Sequence, residues 1–163
     1  MTTNNQENEA IVLSAEETAK YQELAKQELI SLQEKSATGD SESADSVTLY
    51  PYGGTFSVAG AIYLFLSSVT PMEFTNGIKL TFKGEGFGFV FGGGVFAGGG
   101  IFNMDPTTLP GKDVTFTLAA GPGITSPLLI NWYYNDRPIG SFAGPGVSAF
   151  GGAGGGKGRF TRL

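Results

Sequence analysis

The stretch from Ile78 to Phe91, IKLTFKGEGFGFVF, decides the fold class. Ile78, Leu80 and Phe82 alternate with Lys79, Thr81 and Lys83, the two-residue period of a strand with one face toward a core. Phe87, Phe89 and Phe91 then alternate with Gly86, Gly88 and Val90, which puts three rings on one face and almost nothing on the other. The same period recurs at Val114, Phe116 and Leu118, and again at Ile130, Trp132 and Tyr134. Strands are expected near 47–52, 55–66, 78–83, 86–92, 95–102, 113–119, 127–134, 138–143 and 146–162.

Turn signals punctuate these runs: Pro51, Thr70-Pro71, Asn76-Gly77, Asp105-Pro106, Pro110-Gly111, Pro122-Gly123, Asn135-Asp136-Arg137-Pro138 and Gly144-Pro145-Gly146. Connections this short leave no room for crossover helices, so the sheet is expected to be antiparallel. Eight or so strands between residues 47 and 163 suit a closed barrel or a sandwich. Closure also removes unpaired strand edges. The chain holds 26 glycines, about twice the usual share. Glycine inside a strand marks a bulge, a bend or a close approach of backbone. A ring set against bare backbone lets surfaces interlock, and Phe87, Phe89 and Phe91 beside Gly92–Gly94 and Gly98–Gly100 fit that use.

Charge divides the chain near Ser46. Residues 1–46 hold ten acids and three lysines, a net of −7, whereas 47–163 hold five acids and seven basic residues, a net of +2, so the whole carries −5. An acidic extension on a nearly neutral, glycine-rich domain is the organisation this predicts. Within the extension, 14–35 read as a helix. Ser14 and Glu17 have capping-box spacing, and Tyr21, Leu24, Ala25, Leu29 and Leu32 recur as one apolar stripe. A lone amphipathic helix must bury its stripe. It packs on the domain, or it docks on a partner or a second copy through Tyr21, Leu24, Leu29 and Leu32. Residues 36–46, SATGDSESADS, carry no large apolar side chain and read as a flexible linker.

Histidine and cysteine are absent, which removes Ser-His-Asp triads, cysteine nucleophiles, thiolate metal sites and disulfides. Gly151 to Gly158 nearly spells a phosphate-binding loop, but Gly158 stands where Ser or Thr would bind magnesium, and no helix can follow so near Leu163. The run Gly92 to Ala97 matches a relaxed dinucleotide fingerprint, yet Gly98–Gly100 forbids the helix it needs. Of the acids Glu73, Glu85, Asp105, Asp113 and Asp136, Asp105 and Asp136 sit in turn signals. A Glu85–Asp113 pair is the one conceivable acid-base couple, and nothing in its spacing argues for it. No catalytic, cofactor-binding or metal-binding residue is therefore expected, and no enzyme.

The basic residues Lys79, Lys83, Lys112, Lys157, Arg159 and Arg162 are too few for nucleic acid and suit at most a weak contact with anionic lipid. Trp132, Tyr133 and Tyr134 cannot all face inward, so an exposed aromatic surface is expected among them. No stretch looks like a signal peptide or a membrane-spanning helix. That predicts synthesis in the cytoplasm, with any export by a signal-independent route.

The stretch from Leu129 to Phe160, LINWYYNDRPIGSFAGPGVSAFGGAGGGKGRF, resembles the virulence-associated proteins of rhodococci, the Vap family. It joins an alternating aromatic strand, a polar turn, an Ile139-Gly140 step, a Gly-x-Gly-Val-Ser segment and a glycine-rich strand ending in an aromatic. Upstream, Phe82 to Gly88 and Gly92 to Val95 stand where that family has a similar Phe-x-Gly and Gly-Gly-Gly pattern. The resemblance implies a compact antiparallel eight-stranded Greek-key β-barrel behind a variable N-terminal segment. It implies no catalytic residue and no cofactor, and a role at a host interface. Two departures stand out: the family's members carry a signal peptide, and the helix at 14–35 is not one of its familiar features. The expected function is a non-enzymatic effector or virulence-associated binding module whose helix docks a protein partner or a delivery component. The alternatives are an assembly protein that oligomerises through its helix, and a membrane-active Gly/Phe-rich protein.

Overall fold

The computed structural model describes residues 13–36, 48–91, 94–120, 127–146 and 151–163. The acidic tail 1–12, most of the linker reading at 36–46, and the Pro122-Gly123 turn lie outside the described residues. One helix, α1 (Ala15–Ser36), precedes eight strands: β1 (Tyr50–Gly60), β2 (Tyr63–Phe74), β3 (Lys79–Phe91), β4 (Gly94–Phe102), β5 (Val114–Ala120), β6 (Leu128–Tyr134), β7 (Arg137–Gly144) and β8 (Gly151–Arg162).

The strands close into a barrel in the order β1-β2-β3-β8-β5-β6-β7-β4, with every neighbour antiparallel. β4 returns to lie beside β1, and β8 returns to lie beside β5. Each half is thus a Greek key, and the barrel is two of them joined edge to edge.

Local chemistry explains the connections. Asn135 and Asp136 have positive φ of 52° and 64°, as a two-residue turn of the twist-matching kind requires between β6 and β7. Asp105 caps a short 3-10 turn at Pro106–Thr108, its Oδ1 accepting from the Thr107 N–H at 2.9 Å. Two expectations need correction. The run 55–66 is not one strand, because the chain reverses at Ala61 and Ile62. The runs 78–83 and 86–92 are one continuous strand, β3. Pro51 and Pro71 also lie inside strands rather than at turns, Pro71 where the β2–β3 register shifts and no ladder N–H is needed.

The barrel interior is filled with rings. Trp132, Tyr52, Phe56, Phe82, Phe102, Phe116, Phe142 and Phe160 are all enclosed. Trp132 stacks on Phe102 at 5.3 Å and meets the edge of Phe82 at 5.6 Å. Its Nε1–H finds no acceptor among the described residues, and the rings of Phe56, Phe82, Phe102 and Phe160 surround it. Glycine makes room for this packing: a Cβ on Gly140 would lie 2.4 Å from the Phe102 ring. The interlocking of ring and bare backbone is real, but at these inward positions. Phe87 and Phe89 take no part in it, since both point outward.

The capping box at the start of α1 forms as its spacing indicates. The Ser14 N–H donates to Glu17 Oε1 and the Glu17 N–H donates to Ser14 Oγ, both at 3.1 Å. No helix among the described residues is long and apolar enough to cross a membrane.

Candidate functional site

The barrel's inside is filled, so its described surface is its outer wall and connections, and two sides of that wall differ. On one side α1 lies across β4 and β7 and touches β1. The outward residues there are small, so the helix approaches closely: a Cβ on Gly99 would sit 2.6 Å from Gln22 Cγ and 2.7 Å from the Thr18 carbonyl oxygen. Ala25 and Leu29 are buried in this contact. Polar bonds fix its register. Gln22 Nε2 donates to the Tyr52 carbonyl at 3.0 Å, and Asn131 Nδ2 donates to Glu28 Oε2 at 3.0 Å. Asn131 Oδ1 in turn accepts from Ser141 Oγ at 2.6 Å, and Tyr52 donates its hydroxyl to the Ser141 carbonyl at 3.2 Å. Burial pushes the Tyr52 hydroxyl well above the usual tyrosine range.

The four residues read as a partner-docking stripe therefore do not form one exposed face. Leu29 is under the helix against the chain's own barrel, Tyr21 and Leu32 are half-buried, and Leu24 is exposed. The helix satisfies its stripe in cis because the β4/β7 wall is flat enough to receive it.

The aromatic surface expected in β6 also needs correction. Trp132 is fully buried at the centre of the core, and Tyr133 and Tyr134 are half-buried. Tyr134 shares the inward face of Trp132 and packs against the core's edge, with Lys112 Nζ 5.4 Å from the centre of its ring.

The exposed rings lie elsewhere, on the wall formed by β2, β3 and β8. Tyr63 and Phe65 project from β2 and Phe87 and Phe89 from β3, with Phe89 87% exposed and Phe87 65%. They form a cluster: Tyr63 is 5.3 Å from Phe65 and meets Phe87 edge-on at 5.0 Å. Ile62, at the tip of the β1–β2 turn, extends the same patch. A contiguous exposed apolar area of this kind makes the ring face the candidate contact surface among the described residues.

Next to the rings is an open depression of about 760 Å³, lined by Phe65, Lys83, Glu85, Asp113, Lys157 and Arg159 with Gly84, Gly158 and Thr161. Four of its five charged residues have a facing partner of opposite sign, and the fifth, Lys83, stands opposite Arg159. Arg159 Nε donates to Asp113 Oδ1 at 2.6 Å, which holds the Asp113 carboxyl below its usual range and raises Arg159. The Tyr63 hydroxyl donates to Glu85 Oε1 at 3.0 Å and is raised by that bond. Glu85 also faces Lys157 across the β3–β8 ladder. Both acids of the conceivable Glu85–Asp113 couple line this depression, but a carboxyl held down by a guanidinium is a poor proton donor near neutrality. The near phosphate loop at Gly151–Gly158 is β8 itself, laddered to β3 on one side and β5 on the other, so its backbone N–H groups serve the sheet.

The pattern of the Rhodococcus equi virulence-associated protein matches residues 2–161. The chain belongs to that family. Because the match begins in the N-terminal extension and runs through α1, the helix is not foreign to the family pattern. Among solved structures, the barrel is similar to the virulence-associated protein VapD of the intracellular pathogen Rhodococcus equi, with 21% identity and a TM-score of 0.57 over 70% of this chain and 97% of that one. It is also similar to VapB of the same organism, with 24% identity and a TM-score of 0.52 over 71% of this chain and 98% of the other. At these identities the likeness shows a shared fold. No curated protein matches the sequence.

Sequence reasoning missed the ring face, although a signal for it was present. Phe82 faces inward, and an unbroken period of two from there sends Lys83, Glu85, Phe87 and Phe89 outward and the glycines inward. Breaking the run into 78–83 and 86–92 lost that parity.

Proposed function

We propose that this Vap-family protein is a non-enzymatic effector-type binding module that works by surface contact, with the ring face of β2, β3 and β8 as its protein-contact surface. The observation that carries the reading is the cluster of Tyr63, Phe65, Phe87 and Phe89, held exposed on strands whose backbones are laddered on both sides. Rings on a rigid sheet lose little freedom on binding, and each contributes roughly 1.5–3 kcal/mol when fully covered. Interface cores are rich in aromatic side chains with charged residues at the rim, and that is the arrangement here.

The charge balance favours a protein over an anionic lipid surface. Arg159 is tied to Asp113 and Lys157 stands opposite Glu85, so of the cations in the depression only Lys83 lacks a facing acid, which is no basic patch for headgroups. A photo-crosslinking side chain placed at position 89 of the full-length protein, in the cell that makes it, tests the reading. Protein adducts are expected from position 89 and not from a control at the solvent-facing Gln27 on α1, on the opposite wall. Adducts from the control alone, or from neither site, overturn it.

A further inference from the structure

The ring face carries a second property, and the inference drawn from it rests on the reading just given. We propose that the occupant of this face is a second copy of the same chain, paired about a two-fold axis. An isologous interface needs one patch that is complementary to itself, so ridge and recess must lie side by side on the same surface. They do. On the outer side of the sheet, Phe87 lies beside Gly155 and Phe89 beside Ala153 on β8, and the next strand, β5, continues these rows with Thr117 and Ala119. A ridge of rings thus borders a strip two strands wide in which no side chain is larger than threonine. A two-fold rotation lays the ridge of each copy on the strip of the other.

The electrostatics are self-complementary as well. Below the rings the same face carries Lys83, Lys157 and Arg159 interspersed with Glu85 and Asp113. A patch of one sign would repel its own copy, whereas this mixed one sets the two acids of each copy against cations of the other. The rest of the wall is compatible. α1 is seated on β4 and β7, away from the ring face, so a dimer through the rings keeps both helices on its outside. Self-association of this kind does not use the helix, whose Ala25 and Leu29 are already covered by its own barrel.

Sedimentation equilibrium of the full chain, from low micromolar to submillimolar concentration, tests the pairing. A monomer–dimer equilibrium is expected. Phe89→Lys on the ridge and Ala153→Arg on the strip should each weaken it by about thirtyfold or more, as for residues at the centre of an interface. Both positions are exposed, so an unchanged melting temperature verifies the fold of each variant. A wild-type chain that stays monomeric throughout overturns the proposal. A dimer that survives both substitutions, or that is lost on Leu24→Lys in α1 instead, also overturns it. The wider reading is separable. A monomeric wild type whose position 89 crosslinks a foreign protein keeps the contact surface and removes self-pairing. A monomer that sediments with phosphatidylserine vesicles, and loses this in Phe89→Lys, removes both.

Discussion

The two sides of the barrel wall obey the same alternation and end differently. On the β4/β7 side the outward positions include the small Gly99, Ala143 and Ser141, and a helix covers them. On the β2/β3 side they include rings and charges, and the chain's described part leaves them in water. The lesson is that burying a helix on a β-barrel depends on what the wall lacks rather than on what it offers. A flat strip admits a helix backbone to within contact distance, while a wall of standing rings holds any such partner off and suits a surface shaped to receive them.

The largest test of that contrast is removal of the covered side's anchor. Leu29 is buried between α1 and the barrel, so Leu29→Ala should cost about 2–3 kcal/mol in denaturant unfolding. A cost near zero would mean that the helix contributes nothing to stability. Next comes the flatness of the seat. A side chain at Gly99 meets Gln22 Cγ at 2.6 Å and the Thr18 carbonyl at 2.7 Å, so Gly99→Val should destabilise by about 1–3 kcal/mol. Protease cleavage near Lys20 and Lys26 should rise in parallel as α1 lifts away. A Gly99→Val variant as resistant as the wild type would show that small outward residues are not what holds the helix.

On the open side the expectation reverses. Phe89 is 87% exposed, so Phe89→Ser should change stability by no more than about 0.5 kcal/mol, in either direction, although it removes a whole ring. A loss comparable with that of Leu29→Ala would mean that the ring serves the fold and not contact.

Much of this fold was legible because it depends on local patterns. The Ser14–Glu17 spacing is a complete instruction for a helix start, and Asn135-Asp136 nearly one for a hairpin. Leu80 and Phe82 declared their inward face by period alone. What stayed hidden depends on registers that no local signal states. Thr70-Pro71 reads as a turn, but a register shift in β2 accommodates it within a strand. The stripe of α1 names an apolar face without naming its partner, because the flat seat is assembled from β4 and β7, strands 40 residues apart in the chain that only closure brings together. The ring face required knowing that β3 runs unbroken from Lys79 to Phe91, so that glycine and not phenylalanine turns inward.

The smallest effect expected belongs to the ion pair at the edge of the open side. Asp113 and Arg159 meet at 2.6 Å, but their side chains are 82% and 64% exposed, and water screens most of their attraction. The sign is nevertheless fixed. Because the guanidinium lowers the carboxyl's titration point in the folded state, the stabilisation is present above the ordinary range of an aspartic acid, near 4, and is lost as pH falls through the lowered folded value. Asp113→Asn should therefore leave the melting temperature almost unchanged at neutral pH and flatten its decline slightly on acidification. Tyr52 acts at the other end of the scale: its raised value means that the folded state loses stability as pH climbs above about 10, where an unfolded tyrosine ionises and the buried one resists. Comparing the two slopes in wild type, Asp113→Asn and Tyr52→Phe sharpens the contrast between the walls. The open side should give a shallow acid limb, and the covered side, where the Tyr52 ring lies inside the barrel beneath the helix seat, a steep alkaline one that Tyr52→Phe removes.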